Sequence, residues 1–179
     1  MLICKAIVSL SSVFLKTVDQ SSKILGTVTG WLILPLIFAT VYEVFSRYFF
    51  NSPTIWAYEI ATMATGTVLL LGAPYTLKEK AHIRIDVFYS GFSERKKLFV
   101  DIFGYTVFIL PVGFWLSHRL GLYAWEAFET GEQSGESTWN PVIWPYRVVF
   151  CLGILLLTLQ AAAEWLRAIM QLFCGKKDE

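Results

Sequence analysis

The sequence predicts an all-α integral membrane protein with four transmembrane helices plus an N-terminal amphipathic surface helix. Three observations support this fold class: the apolar composition, four long runs without charged residues, and a one-sided distribution of basic residues. Of the 179 residues, 55% are hydrophobic and only 16% are charged, and the mean hydropathy is +0.54. Soluble domains average about 45–50% apolar and about 25% charged residues, so the composition argues against a water-soluble globule.

Net charge and cysteine spacing give no sign of nucleic-acid or metal binding. The formal charge is +1 and the isoelectric point is near 7.7, whereas nucleic-acid interfaces carry an excess of basic residues. Cys4, Cys151 and Cys174 are too widely spaced for a metal or disulfide motif. We therefore expect no nucleic-acid partner and no cofactor.

Four runs without charged residues mark the transmembrane helices. They hold 19, 18, 16 and 16 residues and occupy positions 24–42, 60–77, 102–117 and 148–163. A helix needs about 20 apolar residues to cross the hydrocarbon core, so the shorter runs extend into their flanks. The second extends back to Ile55 and the fourth back to Pro141. Helices are expected because hydrocarbon offers backbone groups no other hydrogen-bonding partner.

Lysine and arginine determine the orientation of the four spans. Twelve of the fifteen lie in the N-terminal segment, in the loop between spans two and three, or in the C-terminal tail. By the positive-inside rule, both termini and the middle loop are cytoplasmic, and the other two loops face outward.

Residues 1–23 are interpreted as a cytoplasmic amphipathic helix. Apolar side chains from Leu2 to Val18 fall on one helical face, and polar ones that include Lys5, Lys16 and Asp19 fall on the other. This pattern is typical of a helix that lies in the membrane interface. A cleaved signal peptide is the alternative, which the lack of a small-residue cleavage site disfavours.

Prolines, a glycine and an asparagine predict where the spans end or bend. Pro74 is expected to end or kink span two, and Pro111 to bend span three. Gly131 is expected to stop an outward extension of span three. Asn140 followed by Pro141 is typical of an N-cap and the first turn of span four.

Charged residues approach the membrane at one depth, near the outer ends of the spans. Glu43 and Arg47 close span one, Glu59 lies one turn after Trp56 in span two, and Arg147 begins span four. Charges this close to hydrocarbon cost about 2–3 kcal/mol unless compensated. We therefore expect a partly buried cluster that locks spans one, two and four or binds a partner helix. The alternative is that each side chain reaches the headgroups separately.

Several chemistries lack their motifs in this sequence. There is no GxxxxGK[ST] phosphate-binding loop, no nucleophile elbow, no HExxH and no CxxC, so we expect neither nucleotide binding nor an enzyme. His82 and His118 lie at or beyond span ends, whereas haem needs imidazoles on facing helices. The centres of the spans lack the ionisable residues that ion-driven transporters usually carry there. The chain is therefore ill equipped to carry a solute alone.

Segments that follow one another along the chain resemble a known family. The matching positions are residues 47–53, Trp56 and Glu59; residues 71–77; His82, Arg84 and Asp86; and Gly135, Glu136, Ser137, Trp139, Pro141 and Trp144. Together they resemble the small permease subunits of TRAP transporters, the DctQ family. The resemblance covers residues 24–165, which we interpret as one DctQ-like domain with a cytoplasmic tail at 166–179.

The resemblance implies a bacterial inner-membrane protein that works beside two others. A large DctM-like permease subunit would hold the substrate and ion sites, and a DctP-like periplasmic protein would deliver the solute. The chain would scaffold the large subunit for secondary active, sodium-coupled import of an organic acid. Glu132 and Glu136 in the acidic outer loop would dock the binding protein, although plain solvation also accounts for them.

Two other functions remain open on the sequence alone. A membrane anchor of a redox complex predicts a bound chromophore or a quinone-dependent activity. A self-sufficient small transporter predicts solute flux into liposomes that contain only this chain.

Overall fold

The computed structural model describes residues 2–81 and 91–174, and within them the chain is helical without a β-strand. The helices are α1 (Leu2–Phe49), α2 (Ala57–Lys78), α3 (Glu94–Gly104), α4 (Leu110–Thr130) and α5 (Trp144–Cys174). A π-helical turn at Tyr105–Ile109 joins α3 to α4. Following the predicted orientation, we call the end with the α1–α2 and α4–α5 loops the outer end, and the opposite end the inner end.

Four stretches of helix are long and apolar enough to cross a membrane: Ser12–Phe49, Ala57–Lys78, Arg95–Thr130 and Trp144–Leu172. Each contains one of the four charge-free runs of the sequence. The shortest has 22 residues, which exceeds the about 20 that the hydrocarbon core requires. The predicted all-α membrane fold with four spans is therefore confirmed.

Helix α1 joins the N-terminal segment and the first span without a break. It runs for 48 residues, or about 70 Å at ~1.5 Å per residue, and passes through the expected boundary between Lys23 and Ile24. Val18 and Ser22 are buried, so the last turns of the predicted surface helix pack into the bundle. A surface location for the turns before Ser12 stays a prediction.

Helix α2 continues past Pro74 to Lys78, so this proline does not end the helix. A proline inside a helix removes one backbone hydrogen bond and crowds the carbonyl four residues earlier, here that of Leu70. Pro74 is fully buried in the bundle. Packing against neighbouring helices tolerates such a local defect in transmembrane helices.

The sequence predicts a bend at Pro111, and the structure has a π-helical turn directly before this proline. Because proline has no N–H to donate to Val107, the ladder of i→i−4 bonds is interrupted at this point. The chain widens instead, and the Leu110 N–H donates to the Tyr105 carbonyl five residues earlier. Single π-helical turns within α-helices commonly have this kind of local cause.

The loop from residue 131 to 143 turns back over the outer end. Gly131 ends α4 with a φ of +63° and donates its N–H to the Ala127 carbonyl, which confirms its predicted role as a helix stop. Helix α5 begins at Trp144, so the prediction that Asn140 is its N-cap is wrong. Asn140 instead has a φ of +45°, and its Oδ1 accepts the Gly135 N–H at 2.8 Å.

Helix α5 lies at the centre of the bundle and packs against α1, α2 and α4, while α1 also packs along α2. Small residues make the close approaches: a Cβ on Gly113 would lie 2.3 Å from the Thr158 hydroxyl, and one on Gly26 would lie 2.5 Å from the Tyr75 ring. Gly30, the second glycine of the GxxxG sequence begun by Gly26, has no such neighbour within 4 Å. The helix contacts therefore follow the small-residue packing that membrane helices use.

Candidate functional site

Near the outer end of α1, the carboxylate of Glu43 binds residues of the helix and of the loop that follows it. Its Oε1 accepts hydrogen bonds from Arg47, at 2.6 Å from Nη2 and 3.1 Å from Nε. Its Oε2 accepts the Thr54 N–H at 2.9 Å and also the Thr54 hydroxyl. Trp56 stacks on Tyr42 of α1, with ring centroids 5.9 Å apart and planes at 19°. These contacts fasten the α1–α2 loop to the helix that precedes it.

Glu59, in the first turn of α2, is only 3% exposed. Its Oε1 accepts a hydrogen bond from the Ser134 hydroxyl at 2.6 Å. Its Oε2 is buried and has no hydrogen-bond partner within the described part of the chain. The N-terminal end of a helix dipole favours a carboxylate at this position. Glu59 therefore ties α2 to the 131–143 loop through one of its two carboxylate oxygens.

Arg147, in the first turn of α5, ties the same loop to α4. Its Nη2 donates to Glu132 Oε1 at 2.6 Å, and its Nη1 donates to the Tyr123 carbonyl at 3.3 Å. Because Glu132 and Ser134 are two residues apart in the loop, Arg147 and Glu59 hold neighbouring points of one segment.

The predicted charge residues thus form three separate contacts. Glu43 pairs with Arg47, as their i,i+4 spacing suggests, but Glu59 and Arg147 each bind the 131–143 loop instead of one another. The direct lock between spans two and four that the sequence suggested is absent from the described contacts. Helices and loop are joined instead through Ser134 and Glu132.

The acidic outer loop is only partly available to another protein. Glu132 is engaged by Arg147, whereas Glu136 is exposed to solvent. Two further glutamates near the end of α4, Glu126 and Glu129, are exposed as well. Docking of a binding protein through Glu136 stays a prediction.

A polar network at the inner end joins α1 to α5, and the sequence reasoning missed it. Ser22 donates its hydroxyl to Gln160 Oε1 at 2.8 Å, and Gln160 Nε2 donates to Asp19 Oδ1 at 3.1 Å. Arg167 forms ion pairs with both Asp19 and Glu164. The amphipathic pattern of residues 1–23 predicts Asp19 on the polar face of a separate surface helix.

This inner network is built around a completely buried side chain. Gln160 is 0% exposed, and a buried amide without partners would cost several kcal/mol. Its spacing offered a signal: Gln160, Glu164 and Arg167 lie at i, i+4 and i+7, on one face of α5. A single face with an amide, an acid and a base predicts a polar partner on a neighbouring helix, here Asp19.

Within residues 2–81 and 91–174, no group of three or more His, Cys, Asp or Glu side chains could hold a metal ion. His82, Arg84 and Asp86, the segment that resembles a family motif, lie outside the described residues. Both networks hold helices and loops together, and neither arranges a nucleophile or an acid–base pair around a cavity.

Comparison with known proteins identifies the family. Residues 36–171 match the DctQ component of the tripartite ATP-independent periplasmic transporters. The chain belongs to the DctQ family. No curated protein and no solved structure matches it significantly. The resemblance of the DctQ-like segments is thereby confirmed, and the chain is a small subunit of a TRAP transporter and a multi-pass membrane protein.

The DctQ match covers the outer contacts and only one half of the inner network. Gln160, Glu164 and Arg167 lie within residues 36–171, whereas Asp19 and Ser22 precede them. The α5 side of the inner network therefore belongs to the DctQ segment of the chain, and its α1 side lies in front of that segment.

Proposed function

We propose that this DctQ-family subunit is a static scaffold for a large DctM-like permease subunit, which carries the solute. The observation that supports it most is the distribution of charge. Charged residues occupy the ends of the four spans, and the central runs have none. Ion-driven transporters usually carry ionisable groups at mid-membrane, so their absence from these runs favours a supporting role.

Fastening at both ends of the bundle fits a fixed rather than a moving part. At the outer end, Glu59 and Arg147 hold the 131–143 loop. At the inner end, Asp19 and Arg167 hold α1 against α5. Helices that are coupled at both ends move together when a neighbouring subunit pushes on them. A transport domain that moves needs such a rigid neighbour.

Family membership supports the rest of the proposal. TRAP transporters in general combine a small subunit, a large permease and a periplasmic substrate-binding protein. We propose that the complex lies in the bacterial inner membrane with both termini of this subunit in the cytoplasm. We further propose secondary active, sodium-coupled import of an organic acid. The family also favours transport over the anchor of a redox complex.

Reconstitution tests the scaffold role. Proteoliposomes would contain this chain alone, the large permease alone, or both, each with the binding protein and a sodium gradient. We expect a labelled organic acid to accumulate only where both membrane subunits are present. Accumulation with this chain alone would refute the scaffold and support a self-sufficient transporter.

A second measurement separates scaffolding from a direct part in solute transfer. Arg167→Gln should loosen the inner end without touching the outer loop. If the chain is a scaffold, co-purification with the large permease and the transport rate should fall together. Transport lost from a complex that still assembles fully would contradict the proposal.

A further inference from the structure

The inner end of the bundle has a cleft to which the proposed scaffold function gives no role. It is an open cleft of about 720 Å³ between α1 and α2, and it is lined by Lys16, Lys23 and Lys78 together with the hydroxyls of Thr17 and Ser21. Small-molecule sites commonly have volumes of about 300–1,000 Å³. The cleft is therefore large enough for a small polar group.

The cleft lies where the apolar part of two adjacent helices ends. Lys23 precedes the charge-free run of α1, and Lys78 follows the charge-free run of α2. Tyr75 packs onto Gly26 one helical turn from these lysines, toward the centre of the spans, so α1 and α2 are in contact there. Both lysines therefore lie at the boundary between hydrocarbon and headgroups.

Positive charge in the cleft is only partly neutralised. Lys16 and Lys23, two helical turns apart on α1, form no ion pair within the described part of the chain. Lys78 Nζ is 3.2 Å from the exposed carboxylate of its neighbour Glu79, a surface pair that contributes little. Asp19 also lines the cleft, but its charge is already paired with Arg167. The cleft is therefore suited to an anion.

The hydroxyls beside the lysines are available as acceptors. Thr17 donates its hydrogen to the Val13 carbonyl and Ser21 donates its hydrogen to the Thr17 carbonyl, each at 2.9 Å. Their oxygens retain lone pairs. A ligand that fits this arrangement carries a negative phosphate for the lysines and hydroxyl groups that donate to Thr17 and Ser21.

An exposed apolar stripe continues directly from these hydroxyls. Thr17, Ser21, Ile24, Val28 and Trp31 are spaced by four, three, four and three residues and share one face of α1. The last three are 53%, 51% and 69% exposed. A ligand with an anionic head and an apolar tail therefore meets matching surface along its whole length, whereas free phosphate uses only the lysines.

We propose that the cleft binds the headgroup of an anionic phospholipid of the phosphatidylglycerol type, with its acyl chain along the Ile24–Val28–Trp31 stripe. Basic pockets at the ends of transmembrane helices bind anionic headgroups by the same electrostatics. The inference goes beyond the proposed function, because lipid binding requires neither the large permease nor transport.

Trp31 provides a local probe for the test. The full chain is reconstituted in phosphatidylcholine bilayers that contain increasing fractions of brominated phosphatidylglycerol, and the Trp31 signal is the fluorescence lost in Trp31→Phe. Its quenching gives the binding constant of phosphatidylglycerol relative to phosphatidylcholine. We expect a ratio of at least about 25, and a fall of about fivefold for each lysine removed by Lys16→Gln or Lys23→Gln.

The matched control is Arg95→Gln/Lys96→Gln, which removes the same charge from exposed positions at the start of α3, outside the cleft. An unchanged ratio in this control, with a ratio near one in Lys16→Gln/Lys23→Gln, supports the site. Equal losses in both double variants would show general surface attraction and overturn it. Circular dichroism checks that each variant is folded, and Lys23→Gln alone serves if the double variant is not.

Two outcomes with the unaltered protein also decide the question. A ratio near one in the wild-type chain overturns the proposal without any variant. Inorganic phosphate, added at the same ionic strength as a chloride control, should leave the ratio unchanged. Displacement of phosphatidylglycerol by phosphate would assign the lysines to a free anion and overturn the lipid as the ligand.

Discussion

Replacing Arg167 by glutamine should loosen the contact between α1 and α5 at the inner end of the bundle. The substitution removes the partner of two carboxylates, Asp19 and Glu164. Breaking a fully buried pair from one side costs about 3–5 kcal/mol. The Arg167 and Asp19 side chains are 20% and 27% exposed, so water solvates part of the stranded charge. We therefore expect the free energy of unfolding to fall by about 2–3 kcal/mol.

A double-mutant cycle isolates the contact between the two helices. Asp19→Asn alone should also be destabilising, since it removes the carboxylate on α1 and leaves Arg167 paired only with Glu164 of its own helix. The double variant lacks both charges, so neither leaves the other without a partner. Its loss of unfolding free energy should therefore be smaller than the sum of the two single losses by about 1–2 kcal/mol. Unfolding of the purified chain by sodium dodecyl sulfate, followed by circular dichroism, provides the four free energies.

Arg119→Gln is the control for the loss of an arginine as such. Arg119 is exposed on α4 and lies over the Tyr123 ring at 5.5 Å, a contact worth less than about 1 kcal/mol at an exposed site. If Arg167→Gln costs no more than this control, or if the cycle is additive within about 0.5 kcal/mol, the inner network does not hold the helices together.

Three further predictions follow from other contacts. Gly113→Ala should lower the free energy of unfolding by about 1–3 kcal/mol, because the added methyl group has no room at the α4–α5 contact. Gly30 faces open space, so Gly30→Ala should have almost no effect in the same detergent titration. Glu59→Ala and Arg147→Ala should each destabilise, and because both side chains hold the 131–143 loop, the double variant should lose less than the sum of the two by more than about 0.5 kcal/mol; additive losses would show that the loop does not couple them. Glu136→Lys should slow transport severalfold at limiting binding protein and not at saturation, and equal rates in both regimes would argue against docking there.

The spans could be predicted from the sequence because one physical requirement dominates them. Hydrocarbon accepts only long segments without charge, so the four runs and the helices coincide. The stop at Gly131 was equally predictable, since a left-handed residue at φ +63° favours glycine wherever it occurs. Pro74 was harder, because burial in the bundle decides how the helix accommodates it.

The partners of the charged residues could not be predicted in the same way. Arg47 reaches Glu43 through helical spacing alone, and that pair was foreseen. The partners of Glu59 and Arg147 depend on the path of the 131–143 loop, which turns through positive φ at Gly131, Gly135 and Asn140. No periodicity encodes such a path, so the sequence predicted a cluster between spans one, two and four without the loop residues that Glu59 and Arg147 contact.

The inner network illustrates a second limit. Asp19 and Arg167 are 148 positions apart, and their contact depends on how α1 and α5 are arranged in three dimensions. The amphipathic pattern of residues 1–23 predicts a helix at the membrane surface only if no other part of the protein packs against its polar face. Once α5 provides one, the same polar face turns inward at Asp19.

The unbroken α1 has a mechanical consequence. A helix of about 70 Å exceeds the ~30 Å hydrocarbon thickness more than twofold, so even a strong tilt leaves much of it in water or headgroups. Pro35 lies inside this helix and cannot donate a backbone hydrogen bond to the Trp31 carbonyl, so the ladder is interrupted there. The two aqueous faces of the membrane are thus connected through one continuous helix, and a displacement at its outer tip reaches the inner tip only as far as the helix stays stiff at Pro35.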